Sequence, residues 1–371
     1  VKKIYLSVTN DLVTDQRVHK IAVSLLKSGA DVTLVGRKLK NSLSVDKRDY
    51  NIKRIKFLFT QGFCFYAEYN IRLFLYLLFK KLDVLVANDL DSLPANYLVS
   101  RIRRKSLVYD SHEYYTEVPE LVNRKFPKKV WLIIEKIILP KINYSYTVSN
   151  EIASTYNDLY NIDMKVVRNV PYYLDKKNIR KVQNENEKII LYQGSLNIGR
   201  GLEEMIDSMK YIENCKLQII GDGDISDLLK TRVKEQKLEN KVIFLGKIPF
   251  QELMKYTVNA DVGIALEENL GLNYYYALPN KLFDYIQAGV PVLISPFPEM
   301  QRIVNKYDVG TVYNHLNPEM LAKKINEIFE LEKRYNNWKE NTKIAAKELC
   351  WENEELVLFD VYSKVGLNFS K

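Results

Sequence analysis

The sequence predicts an α/β fold made of two doubly wound, Rossmann-like domains facing a central cleft, and three observations carry that expectation. The chain has 371 residues, more than one ordinary core accommodates and about right for two domains of roughly 150–200 residues each. Short β-branched runs followed by amphipathic stretches recur along it, which is the rhythm of βαβ units on a parallel sheet. That rhythm stops once, in PYYLDKKNIRKVQNENEK, where the apolar period is lost and charge and asparagine accumulate, and then restarts.

The first series comprises KIYLSV ahead of an amphipathic stretch from Asp15 to Ser28, DVTLVGR, DVLVAN ahead of Leu93 to Arg103, and SLVYD. The second begins at Lys188 with KIILYQG and continues through a helix from Gly201 to Met209, KLQIIGDG, a helix near Ile225 to Gln236, KVIFLG, a helix from Pro249, and DVGIAL. After PVLIS, helical spacing runs from about Asn317 to Lys347, and a last helix is expected from Glu354 to Val365. The expected organisation is an N-terminal domain over 1–170, a linker over 171–187, a C-terminal domain over 188–345, and a C-terminal segment over 346–371 that packs back on the first domain.

Composition narrows the class. Hydrophobic residues at 47% and charged ones at 27% suit two buried cores under a solvated surface and argue against disorder. Cys64, Cys215 and Cys350 are odd in number, scattered and in no metal or redox spacing, so the expected thiols are inert and the expected compartment is reducing. VKKIYLSV is too short for a secretory core or a membrane span, and the expectation is a cytoplasmic protein. A net charge of +9 favours an anionic partner: nucleic acid, the inner face of the cell membrane, or a phosphate-bearing substrate. No helix-turn-helix, zinc-finger or RNP-like segment occurs and the aromatics sit in apolar runs, which sets nucleic acid aside. The run from Phe63 to Lys81, FCFYAEYNIRLFLYLLFKK, is unusually apolar and ends in paired lysines. With Glu68 and Arg72 inside it is a poor span, leaving a core helix of the first domain or a helix lying peripherally on an anionic membrane.

Ligands of an open parallel sheet lie beyond the carboxyl ends of its strands, so residues just after strands are the ones to read. The segment Tyr192-Gln-Gly-Ser-Leu-Asn-Ile-Gly-Arg-Gly leaves a strand, passes three glycines and opens a helix. Glycine admits an anion close to the backbone, and Arg200 can give a diphosphate two parallel hydrogen bonds. In Leu278-Pro-Asn-Lys-Leu-Phe-Asp-Tyr-Ile-Gln-Ala-Gly, the residues Leu282, Tyr285 and Ile286 form an apolar face and Asp284 lies between them. A ribose diol would satisfy that carboxylate, and so would a salt bridge to Lys281 three residues earlier. Lys281 itself is a candidate for donor phosphates. In Ser106-Leu-Val-Tyr-Asp-Ser-His-Glu, one of only three histidines, His112, follows a strand, where Asp110 or Glu113 could fix its tautomer. Asp89-Leu-Asp91 and Asp222-Gly-Asp224 look like an Asp-x-Asp metal motif, but turn hydrogen bonding and helix capping explain carboxylates after strands. No Ser-His-Asp or Cys-His constellation is present.

VYDSHE, VSN at Ser149, VRNVP at Arg168, YQGSLNIGRGLE, IIGDGD, VIFLG, PNKLFDYIQAGVPV followed by Phe297-Pro-Glu, and CWENE together span nearly the whole chain. With them the sequence resembles the family-4 retaining glycosyltransferases of bacteria, GT-B enzymes that build capsular, lipopolysaccharide and exopolysaccharide chains. The resemblance implies an acceptor domain followed by a donor domain, with a UDP- or GDP-sugar donor and a glycan or polyprenyl-diphosphate-linked acceptor. It also implies transfer with retention, assisted by the donor's own β-phosphate oxygen, and neither metal nor cofactor. Donor binding is then expected at Gly194, Ser195, Arg200, Gly221, Lys247, Ile248, Asn280, Lys281, Leu282 and Asp284. Catalytic roles fall on His112, Arg200 and Lys281, with His112 contacting the donor sugar and Asp110 and Glu113 as further sugar contacts; Glu267 and Glu268 end the preceding strand and are expected to approach the cleft, Glu268 as another sugar contact. The sequence departs from the family at Tyr276, where relatives carry a glutamate, and at Ser195, where they carry a second basic residue; Lys281 is the candidate to replace that charge. A nucleotide-sugar 2-epimerase and a non-catalytic nucleotide-sugar-binding protein stay open beside the transferase.

Overall fold

The computed structural model describes residues 1–13, 15–122, 124–175, 187–314 and 317–369 and divides into two units, Val1–Asn169 with Glu354–Lys371, and Val170–Asn353. Of the expected linker over 171–187, residues 176–186 lie outside the described residues. The division at Asn353/Glu354 groups residues 346–353 with the second unit rather than with the C-terminal segment.

The first unit is a parallel sheet of β1 (Lys3–Ser7), β2 (Asp31–Arg37), β3 (Asn51–Ile55), β4 (Val84–Asn88), β5 (Ser106–Ser111), β6 (Tyr144–Thr147) and β7 (Lys165–Val166), ordered β3-β2-β1-β4-β5-β6-β7. The order reverses between β1 and β4, which register Ile4 against Val84 and Ser7 against Ala87. Right-handed crossovers send α1 (Gln16–Leu26) to one face. They send α2 (Gly62–Leu78), α3 (Leu93–Arg103) and α5 (Lys125–Ile138) to the other, where α3 packs on both α2 and α5. The short α4 (Pro119–Val122) leads into α5, and α6 (Asn150–Tyr160) joins β6 to β7. β4 is buried along its whole length, as a central strand covered on both faces must be. Asp15 starts α1 by accepting from the Val18 amide.

The second unit is a parallel sheet of β8 (Lys188–Gln193), β9 (Cys215–Ile220), β10 (Val242–Gly246), β11 (Val262–Ala265), β12 (Val292–Ile294) and β13 (Gly310–Val312), ordered β10-β9-β8-β11-β12-β13. Its helices are α7 (Leu202–Ser208), α8 (Ser226–Glu235), α9 (Phe250–Thr257), α10 (Leu272–Tyr275), α11 (Asn280–Ala288), α12 (Pro298–Tyr307), α13 (Pro318–Glu330) and α14 (Glu332–Glu348). The helical stretch expected over 317–347 is thus two helices; Asn317 caps the first by accepting from the Glu319 and Met320 amides.

α15 (Trp351–Ser363) starts in the second unit, where the Trp351 amide donates to Pro171 O, and its remainder belongs to the first. There Glu355 accepts from Ser24 Oγ at 2.9 Å and Lys27 Nζ at 2.6 Å, and Glu354 accepts from the backbone and guanidinium of Arg168. Among the described residues no helix is long and apolar enough to cross a membrane.

One packing contact positions α11. Tyr285 is fully buried, and its hydroxyl accepts from the Gln193 amide while facing Leu191 O and Ile264 O at 3.1 and 3.3 Å. A Cβ at Gly263 would lie 2.3 Å from Tyr285 Cγ, so the strand needs glycine for the ring to lie flat on it. Gly263→Ala is expected to destabilise the second unit by about 1–3 kcal/mol through overpacking. Urea unfolding measures this, and an unchanged midpoint would show that α11 has slack.

Candidate functional site

The second unit gathers its chemistry where β8, β9 and β11 end. Gly194 and Gly221 hold φ of +140° and +143°, and a Cβ on Gly221 would lie 1.8 Å from Gly194 O. Two strand-end turns therefore pack backbone to backbone, which only glycine permits. Both amides are committed, Gly194 N–H to Ile220 O and Gly221 N–H to Gly246 O, each at 2.9 Å. The expectation that these two glycines bind the donor is corrected to this extent: they allow close approach and supply no free donor. Gly201 has φ of +64° and faces Leu266 O, which draws the turn carrying Arg200 against the chain leaving β11.

That chain carries Glu267, 3% exposed. Its Oε1 receives two cations, Lys281 Nζ from the start of α11 at 3.1 Å and Arg200 Nη1 from the glycine turn at 3.3 Å. The ammonium of Lys281 also sits 4.0 Å from the Tyr192 ring centre, and the Arg200 guanidinium lies 4.8 Å from that of Tyr274. The set is not saturated: Glu267 Oε2, Arg200 Nε and Lys281 Nζ are buried without a hydrogen-bond partner, the lysine being ion-paired in skewed geometry. Each orphaned buried polar group costs about 1–3 kcal/mol. Burial is the largest influence on Lys281 and, with Arg200 nearby, lowers its pKa despite Glu267. For Arg200 burial acts the same way, but Glu267, Tyr274 and Tyr192 outweigh it and raise the pKa. Two cations on one carboxylate leave a net positive charge, and the Lys281 stem lies against Gly194. Lys281 thus brings positive charge to the turn where Ser195 lacks it.

Asp284 is half-buried, and Gln193 Nε2 donates to its Oδ2 at 2.8 Å while Gln193 Oε1 accepts from Thr257 Oγ1. Lys281 pairs with Glu267, so Gln193 and Thr257 are the residues orienting Asp284 that the sequence reading missed. Gln193 was legible only as the last residue of a strand. Ser195, Lys247 and Asn280 are exposed at the same strand and helix ends, and Ile248 is half-buried. Leu282 is corrected: its side chain is fully buried in the core and its amide donates to Pro279 O, which leaves it nothing for a ligand. Glu268, expected as a sugar contact, follows β11 beside Glu267. It is half-buried, with its pKa raised by burial and by Glu203, whereas its neighbour Glu267 is the carboxylate that organises the cations.

In the first unit Arg17, Asp89, Asp110 and His112 converge at the ends of β4 and β5. Arg17 grips Asp110 through Nη2 at 2.7 Å and Nε at 3.2 Å, both residues buried. The His112 ring is bracketed, Nε2 at 3.0 Å from Asp110 Oδ2 and Nδ1 at 3.2 Å from Asp89 Oδ2, while its amide donates to Asp89 Oδ1 at 2.7 Å. Burial opposes the imidazolium, but Asp89 and Asp110 outweigh it and push the pKa up to about 9. Burial would raise Asp110, and Arg17 with His112 holds it below the usual carboxylate range. Both ring nitrogens of His112 thus face carboxylates, and a sugar hydroxyl would reach one of them only in competition with Asp89 or Asp110. Asp110 is likewise spent on Arg17 and His112, while Glu113 is half-buried beside them. Asp89 is not a helix cap, since it braces His112. Asp222 is a turn residue as expected, accepting from Gly223 N and Ser226 Oγ. Asp91 accepts from Thr9 Oγ1 at 2.7 Å, but its Oδ1 is buried without a partner, and burial next to Asp89 pushes its pKa to about 7. Among the described residues no group of three or more His, Cys, Asp or Glu is placed to hold a metal ion.

Two parallel α/β sheets joined in this order, with strand-end chemistry on each, are the GT-B fold. The structure superimposes on sucrose-phosphate synthase from Thermosynechococcus elongatus with a TM-score of 0.80 at 17% identity, covering 98% of this chain and 99% of that one. On Anabaena HepE in complex with UDP and glucose the TM-score is 0.74 at 14% identity, covering 98% and 100%. Within that fold class, residues 175–345 match the family described as Glycosyl transferases group 1. An uncharacterised glycosyltransferase of Methanocaldococcus jannaschii is 29% identical over 199 residues, 49% of this chain and 48% of the relative. Chitobiosyldiphosphodolichol beta-mannosyltransferase of Candida albicans is 22% identical over 280 residues, 64% of this chain and 60% of the relative. The chain thus spans about half to three-fifths of the length of these two curated relatives.

Two outcomes follow from these charge clusters. Glu267→Gln removes the anion between the buried Lys281 and the half-buried Arg200 and is expected to destabilise the second unit by about 2–4 kcal/mol. Inorganic pyrophosphate should then raise the melting temperature of the variant more than that of the parent, and an equal rise would show that the cations do not face the anion site. Asp91 has a folded pKa above its unfolded value, so the folded state holds a proton that the unfolded state has lost between about pH 4 and 7, and its contribution falls as pH rises through that window. Asp91→Asn keeps the Thr9 hydrogen bond without the charge, and at pH 8 it should gain roughly 1–3 kcal/mol relative to its effect at pH 4, as read by urea unfolding at both pH values. A pH-independent difference would place Asp91 in contact with solvent.

Proposed function

We propose that this protein transfers a sugar from a nucleoside-diphosphate sugar to a hydroxyl of a glycan or lipid-linked glycan acceptor, with retention at the anomeric carbon and without a metal. The observation that carries the reading is the convergence of Arg200 and Lys281 beside the Gly194 turn, with donor capacity left over and a net positive charge. Breaking the bond between the anomeric carbon and the diphosphate leaves negative charge on the leaving oxygens, and fixed cations in a buried setting stabilise that charge without reorganising. Arg200 and Lys281 take the diphosphate, with the exposed Ser195 at the turn between them. Asp284, aimed by Gln193, accepts from the ribose hydroxyls. Retention follows when the departing diphosphate takes the acceptor's proton on the face it leaves, so no protein nucleophile is needed. His112, charged and braced by two aspartates, contributes positive charge on the first unit. The family match over residues 175–345, the transferase names of the sequence relatives and the UDP in HepE support a nucleotide-sugar donor.

Thermal unfolding with UDP, GDP, ADP and TDP sugars, each with EDTA present, tests the donor site, because a ligand at 100 times its Kd adds about 2.7 kcal/mol to the folded state. One diphosphate family is expected to raise the melting temperature in EDTA, and Lys281→Ala should weaken it by roughly 10–100-fold, the loss of one charge-assisted contact. Unchanged affinity in Lys281→Ala, or a shift that needs added manganese, would remove the assignment. Free 2-epimerised nucleotide sugar formed without acceptor would favour an epimerase.

A further inference from the structure

The basic charge of this protein is concentrated on one helical layer of the first unit. The segments 62–81, 93–105 and 124–141, which hold α2, α3 and α5 with their immediate flanks, contain thirteen of the 55 Lys and Arg but two of the 46 Asp and Glu. That is a net +11 in a chain of net +9, so the rest of the protein stands at −2. Both acids are spent internally: Glu68 on Arg72 and the amides of Leu58 and Phe59, and Glu135, fully buried, on Tyr156 and Tyr160.

The same layer exposes apolar side chains in stripes. On α2, Ile71, Leu75 and its following residue Phe79 recur every four residues and are 61%, 50% and 80% exposed. α3 repeats the spacing with Leu98 and Ile102, and α5 with Ile133 and Ile137, all about half-exposed or more. The three helices are neighbours, α3 packing on α2 and α5 while Tyr66 of α2 meets Trp131 of α5 edge to face at 5.2 Å. Lys80, Lys81, Arg101, Lys129 and Lys136 are exposed among these stripes. α2 accordingly buries Phe65, Tyr69, Leu73 and Leu77 in the core while its outer side stays apolar, so the two readings open for Phe63–Lys81 are opposite sides of one helix.

We propose that the outer face of α2, α3 and α5 docks on the surface of an anionic lipid bilayer, with the apolar stripes entering the acyl boundary and the lysines and arginines at headgroup level. Charge selects an anionic partner, and stripes of Ile, Leu and Phe between the cations select a partner with hydrocarbon behind its charge, which a nucleic acid lacks. Since no described helix can cross, the face lies on the membrane and does not span it. This inference does not rest on the donor reading, which concerns the other unit.

Cys64 is exposed on α2, seven residues from Ile71, whereas Cys215 and Cys350 are buried, so a single environment-sensitive fluorophore can be attached there. With vesicles of phosphatidylcholine and phosphatidylglycerol at low salt, the labelled full chain should co-sediment and its emission should shift to the blue; with pure phosphatidylcholine, or at high salt, neither should occur. Leu75→Ser/Phe79→Ser and Lys80→Glu/Lys81→Glu/Lys129→Glu should each weaken vesicle binding at least tenfold with unchanged melting temperature, because these side chains are exposed. Three results would overturn the proposal: no binding to anionic vesicles; binding to poly(U) that matches vesicle binding and survives Leu75→Ser/Phe79→Ser; or a dimer in sedimentation that this variant abolishes, which would assign the face to a second copy. Nucleotide-induced thermal shifts read a different unit, so either result can fail while the other stands.

Discussion

Glu267 is the constraint on which the second unit's chemistry depends. A carboxylate sealed from water must be paired, and here a cation from a glycine turn and another from a helix start, far apart in the chain, share one of its oxygens. Holding Arg200 there requires the Gly199–Gly201 turn to press on the chain leaving β11, and holding Lys281 there requires α11 to start beside Tyr192. The glycines that permit these approaches are therefore consequences of the charge arrangement as much as of any ligand. Because a single carboxylate cannot saturate two cations, the cluster keeps the positive charge and unused hydrogen-bond capacity that a diphosphate needs.

The first unit solves the complementary problem. Its strand ends bring together carboxylates, Asp89, Asp91 and Asp110, and the cations Arg17 and His112 compensate them. Arg17 comes from α1, Asp110 from β5, and Asp89 from the turn after β4, so the cluster exists only because the strand order reverses between β1 and β4. Asp91 is the member left partly uncompensated, and its raised pKa is the electrostatic cost of gathering like charges out of water.

Charge is thus handled on two scales. Inside each unit, opposite charges are matched within hydrogen-bonding distance at the strand ends, while on the surface the excess of lysine and arginine is confined to one layer of three helices. A chain of net +9 whose remainder is slightly acidic has a directional field, and that field coincides with exposed apolar stripes rather than with the buried clusters.

The sequence alone determined the alternation of strands and helices, because buried parallel strands such as VLVAN and KIILYQ are continuous apolar runs and their crossovers are amphipathic. It also marked the glycine turn with Arg200 and the helix carrying Lys281 and Asp284, since glycine and proline punctuation is local. It did not show β3, β6 or β7: NIKRI and YSYT are short and mixed in polarity, and their pairing is supplied by neighbours distant in the chain. Tertiary structure alone decided that Glu267 rather than Glu268 meets the cations, that Asp89 braces His112, and that Gln193 aims Asp284. These are choices between adjacent or chemically similar residues, made by the direction in which each side chain leaves its strand or helix and by what lies across the sheet edge, and no local pattern encodes either.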